Sequence, residues 1–312
     1  MHGFMNNEFK IKFRGVRGSV PVPGKNTIKY GGNTTCVELR INGNLIIIDS
    51  GTGIINLGNQ MVGKFFSQSE DEKKVNPMRA TMLFSHTHMD HIMGMPFFTP
   101  IYIGSTELYM FGAKYYDRDF KKALQECMHA PLFPVEFDNL QSLREVNNLK
   151  EGEYLVFKNG ENKPIIDDFF RPKIETDEND LKIYVHQSYA HPSDGSLVYK
   201  FEYKGKKLVF ATDIEGYHSP DNRLVNFSKN ADILIHDAQY TKEQYKMCQG
   251  FGHSTIEMAI DVAKSSNSKK LYLFHHDPRH TDNHLDKILE DAKNIFSDTY
   301  MATEDDEIDL FN

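Results

Sequence analysis

The sequence predicts an α/β protein, because short apolar strands repeatedly end in histidine or aspartate and a capped, amphipathic helix lies among them. The chain has 312 residues, of which 39% are hydrophobic and 26% charged, so it has enough apolar material for a sizeable core. Open α/β sheets bind their ligands at the carboxyl ends of the strands. We therefore expect one sheet edge where these polar residues meet.

The net charge and the cysteines narrow the function classes. The formal net charge is −8, from 36 Lys plus Arg against 44 Asp plus Glu, which argues against electrostatic binding of bulk nucleic acid. No apolar run reaches the roughly 18 residues of a membrane span, and the first residues lack a secretory-signal pattern. The scattered cysteines Cys36, Cys127 and Cys248 indicate reduced thiols. We therefore expect a cytoplasmic protein that does not bind membranes.

The first part of the chain is predicted to form three strands. Phe9 to Arg14 is the first, and Asn42-Gly43 is a hairpin signal between strands at 35–41 and 45–48. Asp49 directly follows the third strand. There it either orients a metal-binding histidine through a hydrogen bond or is an ordinary turn or helix-capping residue.

The densest polar motif runs from His86 to His91, in the order His-Thr-His-Met-Asp-His, after the apolar strand at 81–84. His86 and His88 are two residues apart in an extended segment, so their side chains project to one side. Asp90 and His91 fall in the turn that follows and can face a second position. Imidazole and carboxylate groups at this spacing predict a metal site that serves two ions. The alternative is a polar surface loop.

The second half of the chain repeats one device, an apolar strand that ends in histidine or aspartate. The residues at these ends are His191, Asp213, the pair His236 and Asp237, and the pair His275 and His276. A single ending of this kind is ordinary. Several of them, together with the first motif, predict that the side chains converge at one rim.

His253 differs from these residues because it lies just before a predicted helix. Ser254 to Glu257 matches a capping box, and apolar residues follow at helical spacing. The helix dipole there disfavours a charged imidazole, so His253 is predicted to titrate near neutral pH and to act as a general acid or base. The alternative is a histidine that only packs at the helix start.

Residues 100–180 are predicted to be a variable insert within one domain that spans residues 1–312. Tyr115 to Met128 is compatible with a helix, whereas Lys158 to Asp180 is rich in Asn, Asp, Glu and Pro and indicates a solvated excursion. The metal-type residues resume after this excursion. We therefore interpret it as part of the same domain and not as a linker.

In combination, the HxHxDH motif, a later histidine, a later aspartate and a final histidine resemble the metallo-β-lactamase superfamily from Phe9 to about His276. The resemblance implies an αββα sandwich with two mixed sheets flanked by helices. It also implies two metal ions that share Asp213 as a bridge. The implied ligands are His86, His88, His191 and Asp213 for one ion, and Asp90, His91, Asp213 and His275 for the other, with His276 as the alternative to His275.

The motifs 252–255 (Gly-His-Ser-Thr) and 235–238 (Ile-His-Asp-Ala) resemble the phosphodiesterase branch of that superfamily. This branch includes ribonuclease Z, the phosphoribosyl cyclic phosphodiesterase and cyclic-nucleotide phosphodiesterases of this fold, and His253 matches its catalytic histidine. The chain departs from ribonuclease Z at Asp237, where that family carries Glu. The interval from His191 to Asp213 also has no room for an RNA-gripping arm. The resemblance therefore favours a small phosphodiester over tRNA.

The expected activity is hydrolysis of a small phosphodiester, above all a cyclic nucleotide, by a hydroxide held between two divalent ions ~3.5–4 Å apart. The expected catalytic residues are Asp90, His253 as general acid and Glu215, and the expected supporting residues behind the ligands are Asp49, His236 and Asp237. Either Glu215 or Asp237 is expected to orient His253, and each is equally an ordinary carboxylate.

Zinc is the expected metal, with manganese or iron as alternatives, because the predicted set of histidine and carboxylate ligands includes no thiolate. The resemblance further implies a homodimer. Two other hydrolytic functions fit the same ligands: a thioester or lactone hydrolase of this fold, and RNA processing like that of ribonuclease Z. A metal-binding or sensory module without enzymatic activity is a further alternative.

Overall fold

The computed structural model describes residues 7–114, 119–192 and 194–312, and these residues form two mixed sheets flanked by helices, as predicted. The strands are β1 (Phe9–Gly15), β2 (Cys36–Ile41), β3 (Asn44–Ile48), β4 (Arg79–Leu83), β5 (Glu107–Ala113), β6 (Leu143–Leu149), β7 (Glu153–Phe157), β8 (Ile165–Asp168), β9 (Leu181–Ser188), β10 (Ser196–Tyr203), β11 (Lys206–Ala211), β12 (Ile233–Asp237), β13 (Lys270–Phe274), β14 (Thr299–Met301) and β15 (Glu307–Asp309). The helices are α1 (Ile54–Phe66), α2 (Glu70–Val75), α3 (Met89–Ile92), α4 (Phe120–Cys127), α5 (Asn222–Phe227), α6 (Lys242–Cys248), α7 (Ile256–Ser265) and α8 (Asp282–Ile295), and short 3₁₀ turns occur at Met95–Phe97, Thr99–Tyr102 and Phe137–Asn139.

The strand order places the predicted ligands at matching ends of the two sheets. Sheet 1 has the order β15-β1-β2-β3-β4-β5-β6, and sheet 2 has the order β14-β13-β12-β11-β10-β9-β7-β8. β3 to β6 pair in parallel in sheet 1, as do β11 to β14 in sheet 2. Parallel strands have their carboxyl ends at the same edge, so the segments after β3 and β4 meet at one edge. Those after β11, β12 and β13 likewise meet at one edge of sheet 2.

The hairpin predicted at Asn42-Gly43 is confirmed. These two residues connect β2 to β3 with φ values of 51° and 78°. A two-residue hairpin with positive φ at both central positions matches the right-handed twist of the flanking strands. Local turn chemistry therefore sets the register in which β3 delivers Asp49.

Three apolar layers hold the sandwich together. The layer between the sheets includes Phe13, whose ring centroid lies 6.0 Å from that of Phe274, and Phe210, which lies 5.4 Å from Phe274. Outside sheet 2, α7 contributes Ile256 and Ile260 to a second layer. A third layer lies outside sheet 1. Each strand therefore alternates between the central layer and a helix-facing layer, which decides where neighbouring side chains can point.

The capping of α7 differs by one residue from the prediction. Thr255 is the N-cap, and its hydroxyl accepts a hydrogen bond from the Met258 amide. Ser254 is used elsewhere, because its hydroxyl donates to the Ile214 carbonyl and accepts from the Gly216 amide. The helix start is thus tied to the loop after β11.

Residues 100–180 contribute strands to both sheets in the part that the structure describes. β5 and β6 extend sheet 1, and β7 and β8 extend sheet 2. The helix predicted from Tyr115 begins at Phe120, and residues 115–118 lie outside the described residues. Among the described helices, none combines the length and the apolar character needed to cross a membrane.

Candidate metal centre

The segment after β4 carries the first group of predicted ligands. β4 ends at Leu83, and α3 begins only at Met89, so His86 and His88 lie in an extended stretch as predicted. The side chain of His86 is buried, and that of His88 is exposed. Asp90 and His91 lie in the single turn of α3 and are buried. This one segment therefore supplies residues to two neighbouring positions.

The predicted ligands fall into two sets of three, and within each set the candidate ligand atoms lie within 4.8 Å of one another. The first set has His88 Nδ1 at 3.0 Å from His191 Nε2. The second has His275 Nε2 at 3.2 Å from Asp90 Oδ2. The sets are His86, His88 and His191, and Asp90, His91 and His275.

Asp213 lies between the two sets. Its Oδ2 atom is 3.7 Å from Nε2 of His86 and 3.7 Å from Nε2 of His191. Its Oδ1 atom is 3.3 Å from Nε2 of His91 and 3.4 Å from Nε2 of His275. Each carboxylate oxygen thus faces a different set, which is the arrangement that a bridging ligand needs.

The chemistry of this cluster fits two divalent cations. Nε2 of His86 and Nε2 of His91 are buried and have no hydrogen-bond partner in the described part of the chain. Buried polar atoms without partners are rare and cost free energy unless something binds them. Burial lowers the pKa of His86 well below its usual value, which favours the neutral ring that a ligand must have. For His91, burial acts in the same direction, but nearby carboxylates outweigh it and raise the pKa, so a cation bound there would displace a proton. Histidine and carboxylate donors suit zinc, manganese or iron.

Hydrogen bonds to Nδ1 of His91, His191 and His275 leave Nε2 of each ring to face the cluster. Nδ1–H of His91 donates to Asp49 Oδ2 over 2.8 Å, so the structure places Asp49 where the orienting interpretation puts it. Asp49 also accepts from the amide and the hydroxyl of Ser85. Such partners fix the tautomer and the orientation of a ligating imidazole.

Three supporting groups were not found from the sequence. Nδ1 of His275 lies 2.8 Å from Gln239 Oε1, and Nδ1 of His191 lies 2.9 Å from the carbonyl oxygen of Gly252. The amide of Ser19 donates to Asp90 Oδ2 over 2.7 Å. Gln239 lies two residues after the end of β12, so a search for polar residues just after strands could have found it. The other two partners are main-chain groups, which any residue type carries.

The main chain is left-handed at the strand ends that carry the site. Asp49, Asp213 and His275 have φ values of 60°, 53° and 62°. Non-glycine residues adopt this region rarely, at a cost of about 1–3 kcal/mol each, and such residues cluster at functional sites.

Two glycines lie against ligand rings. A Cβ atom on Gly252 would lie 2.2 Å from His191 Nδ1, and one on Gly18 would lie 2.5 Å from His275 Nδ1. Real Cβ atoms do not approach other atoms so closely, so both positions exclude any other residue without displacing an imidazole. Gly252 also has φ of +89°, which favours glycine independently.

His253 lies beside the cluster and is paired with Asp237. Its Nδ1–H donates to Asp237 Oδ2 over 2.8 Å, and its ring stacks on that of His275 at a centroid distance of 4.9 Å. Burial disfavours the charged ring, but the charge and hydrogen bond of Asp237, with the charges of Asp213 and Asp90, raise the pKa of His253 to about 9. The dipole-based prediction of a pKa near neutrality is therefore wrong, because a buried carboxylate outweighs the helix end.

Glu215 lies near the site without touching the ring of His253. Its carboxylate accepts hydrogen bonds from the amides of Gly250 and Gly252, at 2.8 and 2.9 Å, and from the hydroxyl of Tyr245 at 2.7 Å. Of the two carboxylates predicted to orient His253, Asp237 is the one that is hydrogen-bonded to its ring. Glu215 instead holds the main chain of the loop at 250–252, which precedes His253.

His236 and His276 point away from the cluster. Nδ1–H of His236 donates to the carbonyl of Asp237, and its ring faces the helix side of sheet 2, so the structure does not bring it to the ligands as predicted. The reason is strand alternation: Asp237 takes the site-facing position, and its neighbour takes the other face. Nε2–H of His276 donates to the carbonyl of Ala302, so His275 is the member of that pair in the cluster.

Large apolar side chains are exposed next to these ligands. Met89 follows His88, Tyr189 precedes His191 by two residues, and Phe251 precedes Gly252, with 58%, 69% and 60% exposure. Their positions in the sequence make these residues candidates for contact with a bound substrate.

Known proteins share this architecture. A family model described as a beta-lactamase superfamily domain matches residues 178–276. Ribonuclease Z of Picrophilus torridus is 26% identical over 327 residues, covering 96% of this chain and 95% of the relative. A diphosphatase of the PhnP family has a TM-score of 0.62 at 13% identity, covering 96% of this chain and 97% of the other. Zn²⁺-bound PqqB from Methylobacterium extorquens has a TM-score of 0.62 at 12% identity, covering 96% and 100%.

These similarities extend over nearly the whole chain and agree with the two sheets and the clustered ligands described above. The chain has the metallo-β-lactamase fold and is a metal-dependent hydrolase that resembles ribonuclease Z.

Proposed function

We propose that the chain is a binuclear phosphodiesterase that hydrolyses a small phosphodiester, in particular a cyclic nucleotide. The observation that carries the proposal is Asp213 between two ligand sets, with the His253–Asp237 pair against the second set. The ligands would be His86, His88, His191 and Asp213 for one ion and Asp90, His91, Asp213 and His275 for the other. Two such ions supply Lewis acidity and lower the pKa of bound water toward ~7.

The other residues of the site supply a proton or orient the predicted ligands. Asp237 accepts a hydrogen bond from Nδ1–H of His253, so the protonated ring has Nε2–H as its second donor. From Nε2, His253 donates a proton to the leaving oxygen of the phosphodiester, a role typically worth ~10²–10⁴-fold in rate. Asp49 and Gln239 keep the ligand rings of His91 and His275 turned toward the cluster. Asp90 serves as a ligand and is itself oriented by the Ser19 amide.

The size of the substrate is inferred from what surrounds the cluster. Between His191 and Asp213, the described residues are β10 and β11, joined by a short turn at Lys204 and Gly205, so they leave no place for an RNA-binding arm. The exposed Met89 and Phe251 offer apolar surface on which a base can rest. The net charge of −8 also disfavours a long polyanion.

RNA processing is the second candidate, because the relative from Picrophilus torridus is named ribonuclease Z and matches nearly end to end. RNA binding would appear as a steep dependence of affinity on salt concentration. A thioester or lactone hydrolase needs the same ligands but gives no role to the protonated His253–Asp237 pair. We rank it last.

The test is turnover by zinc- or manganese-loaded protein on 3′,5′- and 2′,3′-cyclic nucleotides, on bis(p-nitrophenyl) phosphate and on a precursor tRNA. We expect hydrolysis of a cyclic nucleotide that chelator abolishes. His253→Ala should lose ~10²-fold or more on the cyclic substrate and much less on the activated ester, which needs no proton at its leaving group. Equal losses on both would refute the general acid, and cleavage of tRNA alone would establish RNA processing.

Zinc as the resident metal, a homodimeric assembly and a cytoplasmic location stay predictions. The free thiols of Cys36, Cys127 and Cys248 are consistent with a reducing compartment. Metal analysis of the purified protein and its mass in solution test the first two directly.

A further inference from the structure

A cavity of about 390 Å³ lies on the helix side of sheet 2, between the loop after Asp213 and α7. We call it the α7 pocket. Its size is within the range of small-molecule pockets, roughly 300–1,000 Å³. Among the described residues that line it, none is a predicted metal ligand. Glu215, which accepts a hydrogen bond from the Gly252 amide, also lines the α7 pocket, so the pocket adjoins the proposed hydrolytic site but contains none of its predicted ligands.

The α7 pocket contains an unused hydrogen-bond acceptor. His236 lines it and is only 1% exposed. Nδ1–H of this ring donates to the Asp237 carbonyl over 2.7 Å, which leaves the lone pair on Nε2. That atom is buried and has no partner among the described residues. Burial lowers the pKa of His236, so the ring is neutral and Nε2 accepts hydrogen bonds.

The walls of the α7 pocket select against anions. Leu224, Met258 and Val262 are apolar and line the cavity together with His236. Glu215, Asp221 and Asp261 also line the cavity, and no Lys or Arg occurs in its described lining. A negative charge entering the pocket would meet three carboxylates and no cation, whereas a positive charge would be stabilised. A phosphodiester is therefore the wrong ligand for this cavity.

We propose that the α7 pocket binds a small aromatic amine. The ring N–H of the ligand donates to Nε2 of His236, and the flat ring packs against the face of α7 that carries Met258 and Val262. The ammonium group lies toward Asp221 and Asp261. Tyr217 adds an aromatic face at the entrance and is 56% exposed. The ligand class is thus set by one buried acceptor, apolar walls and acidic lining residues.

Binding of tryptamine to the metal-loaded protein, measured by calorimetry, tests the proposal. Two comparison compounds change one property each: 1-methyltryptamine lacks the ring N–H, and indole-3-acetate carries a negative charge. We expect 1-methyltryptamine to bind roughly 2- to 10-fold more weakly, the usual worth of one hydrogen bond. Indole-3-acetate should bind more weakly still. Absence of tryptamine binding, or equal binding of all three compounds, would overturn the proposal.

Three variants test whether the ligand binds in the α7 pocket. Val262→Trp fills the cavity and should abolish binding, and His236→Phe should remove the preference for tryptamine over its methylated analogue. Asp261→Lys changes an exposed residue and should reverse the preference for the amine over the carboxylate. Glu290→Lys makes the same charge change on exposed α8, outside the pocket lining, and should leave every affinity unchanged. Tryptamine affinity that survives both Val262→Trp and Asp261→Lys would refute this location.

Discussion

Nδ1 of His253 lies 2.8 Å from Oδ2 of Asp237, and both side chains are largely buried. This hydrogen bond resembles the one between His91 and Asp49, in which a carboxylate orients a predicted ligand ring. His253 differs because we assign its Nε2 atom to the substrate and not to a metal. A buried carboxylate at this distance favours the protonated imidazole, and the pKa of His253 is accordingly raised to about 9. The hydrogen bond and charge of Asp237 therefore favour the protonated ring that a general acid needs.

The alkaline limit of catalysis follows from this pair. A general acid works only while protonated, so activity falls as the pH rises through the pKa of His253. Asp237→Asn keeps an acceptor for Nδ1 but removes the charge that raises this pKa. We expect the alkaline limb of kcat to move to lower pH in the variant. The check is a pH profile of kcat on the cyclic substrate, and an unmoved limb would show that another group sets it.

Asp213 combines a shared ligand position with a left-handed main chain. Asp213→Ala and Asp213→Gly should both deplete the two metals, which elemental analysis detects. The metal-free proteins should differ, because alanine at φ of 53° retains strain that glycine relieves. We expect the glycine variant to be more stable by ~1–2 kcal/mol in urea unfolding. Asp291→Ala, an exposed change on α8, controls for purification losses of metal. Full retention of both metals in either Asp213 variant would contradict the bridge.

Gly250 and Gly252 offer a matched pair. Both have φ of +89°, but a Cβ on Gly250 meets nothing within 4 Å, whereas one on Gly252 would lie 2.2 Å from His191 Nδ1. Gly250→Ala should therefore show only the main-chain cost, about 1–3 kcal/mol, with normal metal content. Gly252→Ala should add displacement of His191 and lose metal from the first ligand set. Equal metal content in the two variants would show that the ring can move aside.

Glu215 is expected to act through the loop it holds. Glu215→Gln replaces one acceptor oxygen with an NH₂ group that faces a main-chain amide, so the loop at 250–252 should loosen. We expect a lower kcat with both metals retained and with the alkaline limb at the wild-type pH, unlike Asp237→Asn. Glu243→Gln, an exposed change on α6, is the control. A shifted limb in Glu215→Gln would indicate that Glu215 acts on the charge of His253 instead.

The ligand positions were predictable because they depend on local pattern. The strand-end rule and the 86–91 motif located the residues that the structure brings together, and the Asn42-Gly43 hairpin followed from turn chemistry. The choice between His236 and Asp237 was also decidable in principle, since neighbours on a strand face opposite sides. The Ser19 amide and the Gly252 carbonyl were not, because a main-chain group becomes a partner only through tertiary folding. The role of Glu215 depends on the same kind of contact.

The predicted ligands come from both sheets, and this has a consequence for how the chain resists unfolding. Asp90, after β4, and His275, after β13, are 185 positions apart and meet at 3.2 Å. An ion held by both closes a loop of that length, so it binds only when the two sheets are docked. By mass action, each bound ion then strengthens the docking itself. Chelation should therefore expose sites for limited proteolysis in both halves of the chain at once.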